Sequence, residues 1–73
     1  MTLDDLPPNT PASVVRVTNS GSLGDRLMEM GLTPGTEIRV IRRGWLGQPM
    51  QLQVRSYRLS LRRSDARKVE VSG

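Results

Sequence analysis

The 73-residue sequence contains no cysteine and no histidine. Thiolate and imidazole are the main protein ligands of zinc, copper and iron, so their absence argues against a metal centre of the usual kind. Without imidazole the chain also lacks the commonest general base, and we expect neither enzymatic activity nor a cofactor. Because the absence of cysteine is typical of a reducing compartment, we expect a cytoplasmic protein.

Aromatic residues and long apolar runs are also scarce. Phenylalanine is absent and there is one tryptophan and one tyrosine, so the core must be built from leucine, valine, isoleucine and methionine. No stretch approaches the roughly 18 consecutive apolar residues of a membrane-spanning helix. The first ten residues lack the positive charge and apolar run of a targeting peptide. We therefore expect one soluble domain over residues 1–73.

Positive charge is what the sequence has in excess. Eleven lysines and arginines against seven acidic residues give a net charge of +4, and ten of the eleven cations are arginine. Such an excess suits nucleic acid, an anionic membrane surface or an acidic protein partner, and it does not choose between them.

Alternating apolar and polar residues predict five short strands, at residues 13–18, 36–43, 50–55, 57–63 and 68–71. In the first strand Val15 and Val17 share one face, opposite Val14. In the fourth strand Tyr57 shares the apolar face with Leu59 and Leu61. Ahead of the first strand, three prolines within residues 1–11 predict an extended lead-in, from which Leu3 and Leu6 pack against the body.

One helix is predicted at about residues 22–30. Ser22 has the position of an N-cap, and Leu23, Leu27 and Met30 recur at the spacing of one helical stripe. Gly31 stands where a left-handed C-terminal cap is expected. Proline and glycine at 34 and 35 then predict a type II turn, and Ser64 is expected to start a single helical turn near the end.

Five strands with one apolar face each are too few for a two-layer sandwich, whereas closure covers that face and removes exposed edges. We predict a mainly β fold: a small SH3-like five-stranded barrel with one α-helix inserted between the first and second strands. An OB-fold is the structural alternative.

The candidate functional residues are surface residues for partner binding. Met28 lies off the apolar helical stripe, and Trp45 with Leu46 occupies a glycine-containing loop, so these three form a predicted apolar contact. In the alternative, Trp45 folds back over the end of the barrel. Arg55, Arg58 and Arg62 are expected to point outward from adjacent strands, with Arg39, Arg42, Arg43 and Arg63, and to steer a partner electrostatically.

Other chemistries are less well supported. A nucleic-acid groove usually interleaves its cations with aromatic platforms, and only Trp45 is free to stack. Asp25 and Glu29 lie four residues apart on the helix, and a solvated face is a better interpretation than a cation site.

The run RLMEMGLTPGTEIRVIRR (residues 26–43), the loop LGQPM and the run VRSYRLSLRRSDARKVEV closely resemble the FeoA family of small cytoplasmic proteins of bacterial ferrous iron transport. The resemblance implies an SH3-like barrel that assists the transporter FeoB, whose cytoplasmic part carries a GTP-binding domain. The assistance would be regulatory protein contact rather than iron transfer. The resemblance implies membrane contact only through the transporter. From the scarcity of aromatic platforms we do not expect nucleic acid as the partner, and the sequence leaves the oligomeric state undetermined, with a monomer favoured.

The sequence departs from the family pattern twice. Ser56 stands where relatives usually have glycine before the tyrosine, so a bend expected there must be made with a Cβ present. Trp45 occupies a loop position that is commonly small or proline. Two other function classes remain open. One is a small basic β-barrel that binds nucleic acid; the other is a domain with repressor-like sensing of a ligand or peptide.

Overall fold

A computed structural model describes residues 1–18, 22–45 and 49–73, without the side chains of residues 22 and 23. After a 3-10 turn (Leu3–Asp5), the chain forms, in order, β1 (Pro11–Val17), α1 (Ser22–Glu29), β2 (Glu37–Arg42), β3 (Met50–Val54), β4 (Tyr57–Leu61), α2 (Arg63–Ala66) and β5 (Val69–Ser72). No helix in the described ranges is long and apolar enough to cross a bilayer.

The five strands form one antiparallel sheet in the order β4-β3-β2-β1-β5, with α1 inserted between β1 and β2 along the chain. The predicted strand number and helix position are confirmed. No ladder joins β4 to β5 within the described residues, so the predicted barrel is not closed by hydrogen bonds.

One face of the sheet and the inner face of α1 enclose the core. Its members include the predicted inward residues of β3 and β5, namely Met50, Leu52, Val54, Val69 and Val71. Leu27 of α1 is fully buried, and Met30 packs partly against the same cluster. A core of leucine, valine, isoleucine and methionine is therefore confirmed.

A β-bulge overturns the predicted face of β1. Val14 lies opposite Val71, whereas Arg16 already lies opposite Glu70, so two steps along β1 match one step along β5. A bulge of this kind leaves an extra residue unpaired and breaks the strict alternation of faces. Val14 is consequently buried, and Val15, predicted to share a face with Val17, is 44% exposed.

Glycine ends α1 as the sequence predicted. Gly31 has φ of +104°, its N–H donates to the Met28 carbonyl, and the next N–H, of Leu32, donates to the Leu27 carbonyl. These two bonds define a Schellman cap, and the accompanying apolar pair, Leu27 and Leu32, is fully buried. The following turn is also confirmed: Gly35 has φ of +89°, and the Thr36 N–H donates to the Thr33 carbonyl.

The N-terminal segment packs more tightly than an extended lead-in. Leu3 and Leu6 are fully buried, which confirms their predicted packing, but the chain between them is a 3-10 turn. The last helical turn also starts earlier than predicted. Arg62, not Ser64, is the N-cap of α2, because its carbonyl accepts the first hydrogen bonds of that turn.

Candidate functional site

Trp45 projects from the loop after β2. Its side chain is 73% exposed, so the alternative in which it folds over the end of the core is wrong. Leu46, its predicted neighbour in an apolar contact, lies outside the described residues. Trp45 is the most exposed large apolar side chain in the described ranges, and such a residue offers contact area at low side-chain entropy cost.

Met28 is 44% exposed in the last turn of α1, as expected for a residue off the apolar stripe. The end of α1 is hydrogen-bonded to Tyr57 at the start of β4, and α1 also lines a groove with Arg62, beyond the end of β4. Trp45 follows β2, at the end of the sheet where β4 also ends. The grouping of Met28 with Trp45 stays a prediction.

Tyr57 is a partly exposed residue at the start of β4. Its predicted place on the leucine face is confirmed, because it lies directly opposite the buried Val54 in the β3–β4 ladder. Its side chain is nevertheless 41% exposed, and its hydroxyl donates to the Met30 carbonyl. A Cβ at Gly31 would overlap that hydroxyl, so this glycine serves both the helix cap and the approach of the tyrosine. The sequence contains both Tyr57 and the helix-ending Gly31, but no local pattern in it indicates that the two residues are in contact.

Asp4 binds some of the arginines that were predicted to form an exposed stripe. This residue was not identified from the sequence. Arg63 Nε and Arg67 Nε lie 3.2 Å from the two oxygens of this buried carboxylate. Arg43 also reaches it, and donates to the Leu6 carbonyl at 2.9 Å. These three arginines hold the N-terminal segment and are structural.

The pKa of Asp4 reflects two opposing effects. Burial alone would raise the pKa of this carboxyl, because it disfavours the charged form. Hydrogen bonds and positive charge from Arg63 and Arg67 outweigh burial and lower the pKa below its ordinary value. The carboxylate is therefore charged at neutral pH and compensates part of the arginine charge.

The predicted binding arginines, Arg55, Arg58 and Arg62, are exposed, and none has a carboxylate partner in the part of the chain that the structure describes. Arg55 and Arg58 share one surface with Arg39, whereas Arg62 lines a different groove. Arg58 lies in a cross-strand row with Gln53 and Arg39, and Arg55 and Arg39 line a groove of 540 Å³ on β2 and β3.

Arg62 belongs to a second, smaller groove of 290 Å³ between the end of β4 and α1. Arg26, Leu27 and Met30 line its helix side, and Ser64 and Asp65 line the other. This groove combines two cations and one carboxylate with the apolar side chains of Leu27 and Met30, a grouping that the sequence pattern did not predict.

Turn geometry places Arg55 at the tip of the β3–β4 hairpin. A bend with a Cβ was expected at Ser56, where relatives usually have glycine. The left-handed residue is instead Arg55, with φ of 52°. The unusual conformation therefore falls one residue earlier than expected.

Within the described ranges, no three acidic residues lie close enough together to hold a metal ion. Asp25 and Glu29 are both exposed on α1, as expected of a solvated face.

The fold and its surface residues can now be compared with known proteins. A family model, the FeoA domain, matches residues 1–73. The chain belongs to the FeoA family. The match spans the whole sequence and confirms the resemblance carried by residues 26–43 and the following runs.

A curated relative of this FeoA chain is the Fe(2+) transport protein A/Fe(2+) transporter FeoB fusion protein of Porphyromonas gingivalis (strain ATCC BAA-308 / W83). The two are 38% identical over 71 residues, which is 97% of this chain but 8% of the relative. The FeoA chain thus corresponds to a small part of that fusion protein.

Solved structures of FeoA proteins share the fold. FeoA of Stenotrophomonas maltophilia, a procaryotic SH3 domain protein solved with zinc, is 37% identical with a TM-score of 0.86, over 99% of this chain and 89% of that one. Iron(II) transport protein A of Clostridium thermocellum is 35% identical with a TM-score of 0.90, over 97% and 44%. The predicted SH3-like fold class is confirmed.

Proposed function

We propose that this chain is a non-enzymatic accessory protein of bacterial ferrous iron uptake, which acts in the cytoplasm by contact with the GTP-binding part of a FeoB-type transporter. The observation that carries the proposal is the Porphyromonas gingivalis relative, named as a fusion of Fe(2+) transport protein A with the transporter FeoB.

The fusion supports physical contact for a simple reason. Joining two modules in one polypeptide makes their association intramolecular and raises the effective concentration of each toward the other. Two modules that must meet in order to work gain from such a link, whereas two that never touch gain nothing from it. The FeoA part of the fusion covers nearly all of this chain, so the same contact is proposed here.

The described surface offers suitable groups for that contact. Trp45 and Met28 supply exposed apolar area, to which the proposal adds Leu46 as the neighbour of Trp45. Arg55, Arg58 and Arg62 supply exposed positive charge that would speed the encounter with an acidic surface.

An amide NMR titration with the soluble GTP-binding part of the transporter from the same organism, at physiological salt, tests the proposal. We expect shifts at residues 26–31 or 44–48, with further shifts around the three arginines. Trp45→Ala should weaken the complex and leave thermal stability nearly unchanged, since the side chain is exposed. Val15→Ala is the matched control, because Val15 is also exposed but lies on β1.

A random DNA duplex is the second arm of the titration. Shifts with DNA alone, centred on residues 55–63 and lost steeply as salt is raised, would replace the proposal by the nucleic-acid-binding alternative. A mainly apolar protein contact would weaken far less over the same salt range.

A further inference from the structure

The strand β4 is an edge of the sheet, and its hydrogen-bonding geometry can be read from its register. Val54 and Tyr57 pair across the two-residue turn of the hairpin, which makes them a hydrogen-bonded pair. Hydrogen-bonded and non-hydrogen-bonded pairs alternate along an antiparallel ladder. Arg58 and Ser60 therefore direct their backbone N–H and C=O groups away from β3, toward the edge.

The other side of the sheet agrees with this assignment. If Arg58 and Gln53 form a non-hydrogen-bonded pair, then Gln53 must bond to Arg39 on β2, and Arg39 in turn points away from β1. Its neighbour on β1 is Pro11, which has no N–H to donate.

This edge is open in the part of the chain that the structure describes. No backbone hydrogen bond reaches Arg58 or Ser60 from outside the β3–β4 ladder, and both residues are exposed. An unpaired row of this kind is a template for a further strand, and natural proteins usually cover it or guard it with charge.

The side chains around the edge define what could pair with it. Arg58 projects on the outer face without a carboxylate partner among the described residues. On the opposite face Leu59 is only partly buried, and past the end of β4 lies the groove lined by Arg26, Met30 and Arg62. A strand added here would meet positive charge on one face and partly exposed apolar groups on the other.

A second copy of this chain is a poor occupant. Any pairing of β4 with itself brings Arg58 beside Arg58 or Arg62 of the other copy, directly opposite or one diagonal step away. Like charges at those positions oppose pairing. An acidic strand would instead place opposite charges there.

We propose that the edge of β4 is a strand-addition site for an extended acidic segment of a partner protein, which pairs with the backbone of Arg58 and Ser60 and turns alternate apolar side chains toward Leu59 and Met30. The inference rests on the binding role proposed above and names the geometry of the contact. Main-chain bonds would provide affinity, and the arginines would provide selectivity for acidic partners.

A short synthetic peptide of alternating glutamate and valine tests this geometry without the transporter. Amide hydrogen exchange at Arg58 and Ser60 should be fast in the free protein and slowed in the complex, because the added strand accepts both N–H groups. A peptide with lysine in place of glutamate should not bind.

Selective N-methylation of the peptide separates strand pairing from simple charge attraction. Methylation of the backbone nitrogens on the pairing edge should weaken binding by roughly tenfold or more, since each methyl removes a hydrogen bond. Methylation of the same number of nitrogens on the opposite edge is the matched control and should change little. Equal affinity for the two methylated peptides would overturn the proposal.

A pair of protein variants gives an independent check. Ser60→Pro removes the outward N–H, which the fold does not use, and should weaken peptide binding while the protein stays folded. Ser60→Ala removes only the hydroxyl and should bind normally. Binding by the proline variant as tight as by the alanine variant would contradict strand addition.

The outcomes also separate this inference from the proposed function. If the GTP-binding part of the transporter binds but leaves exchange at Arg58 and Ser60 fast, and the peptide does not bind, the edge site falls and the proposed function stands. If the peptide binds but the transporter part does not, the proposed function falls and the edge site stands. Protection of both amides by self-association alone would identify a second copy as the occupant and overturn the proposal.

Discussion

The two edges of the sheet end in different ways. At the β5 edge the N-terminal segment lies alongside the strand: Thr2 bridges to Glu70, and the Val71 N–H donates to the Met1 carbonyl at 2.9 Å. The β4 edge has no such cover in the described ranges. Unpaired backbone groups at a sheet edge can form hydrogen bonds with a further strand. The β4 edge is therefore accessible to a partner strand, whereas the β5 edge is covered by the N-terminal segment.

Charge follows the same division. Near the covered edge the buried carboxylate of Asp4 gathers Arg43, Arg63 and Arg67. Along the open edge Arg58 and Arg62 meet no carboxylate among the described residues. Arginines therefore hold the N-terminal segment through ion pairs in one region and carry exposed surface charge in the other. The difference depends on the position of Asp4.

Removing the anchor of the covered edge should have the largest effect. Leu6→Ala deletes a fully buried side chain and should lower the free energy of unfolding by about 3 kcal/mol. Leu59→Ala, at the open edge, removes a partly buried side chain and should cost about 1 kcal/mol. Urea denaturation of both variants measures the difference, and equal losses would show that the two edges are anchored alike.

Asp4→Asn should have the next largest effect. It removes the charge that compensates three arginines and should cost about 2 kcal/mol, less than a fully buried ion pair because the arginines remain partly hydrated. Asp5→Asn is the matched control: its exposed carboxylate accepts hydrogen bonds from the backbone and hydroxyl of Thr2 and pairs with no arginine among the described residues, so a clearly smaller loss is expected. A loss at Asp4 no larger than at Asp5 would contradict the role of the cluster.

Acid should erase the advantage of the native Asp4. Its pKa is lowered in the folded state, so its stabilisation is fully present above the unfolded pKa of about 3.9 and is lost as the pH falls through the folded value. The stability difference between the native chain and Asp4→Asn should be constant near neutral pH and shrink below about pH 4. Urea midpoints measured for both proteins across that range test the sign, and a difference that grew on acidification would exclude it.

Much of the fold could be predicted because it depends on local pattern. The inward residues of β3 and β5 follow strict alternation, and Gly31 and Gly35 occupy backbone conformations that few other residues adopt. The error at Val15 has a physical cause: a bulge changes the side-chain face without changing the composition of the strand.

Which surface residues are paired and which are exposed could not be predicted, because this depends on contacts between residues far apart in the sequence. Asp4 and Arg67 are separated by 63 positions and meet only once the N-terminal turn packs beside α2. Met28 and Trp45 were grouped by chemistry alone, and that grouping stays a prediction. Alternation placed Tyr57 correctly on the core face, but it could not show that the side chain is 41% exposed and is hydrogen-bonded to the end of α1.

Relief of backbone strain at the tip of the β3–β4 hairpin should give the smallest effect, and a gain in stability. Arg55 has φ of 52°, a region where asparagine is several-fold enriched over most residues other than glycine. Arg55→Asn should raise the free energy of unfolding by about 0.5 kcal/mol, because asparagine adopts the left-handed conformation at a smaller cost than most residues with a Cβ. Ser56→Asn, at the neighbouring position, should bring no gain, because the positive φ falls on Arg55 and not on Ser56. Thermal unfolding of the two variants measures the difference. A gain in stability at position 56 instead would show that Ser56, and not Arg55, has the left-handed conformation, as the family pattern suggests. Because Arg55 lies next to the open edge, the asparagine variant also tests whether its charge contributes to binding the acidic peptide without loss of the hairpin.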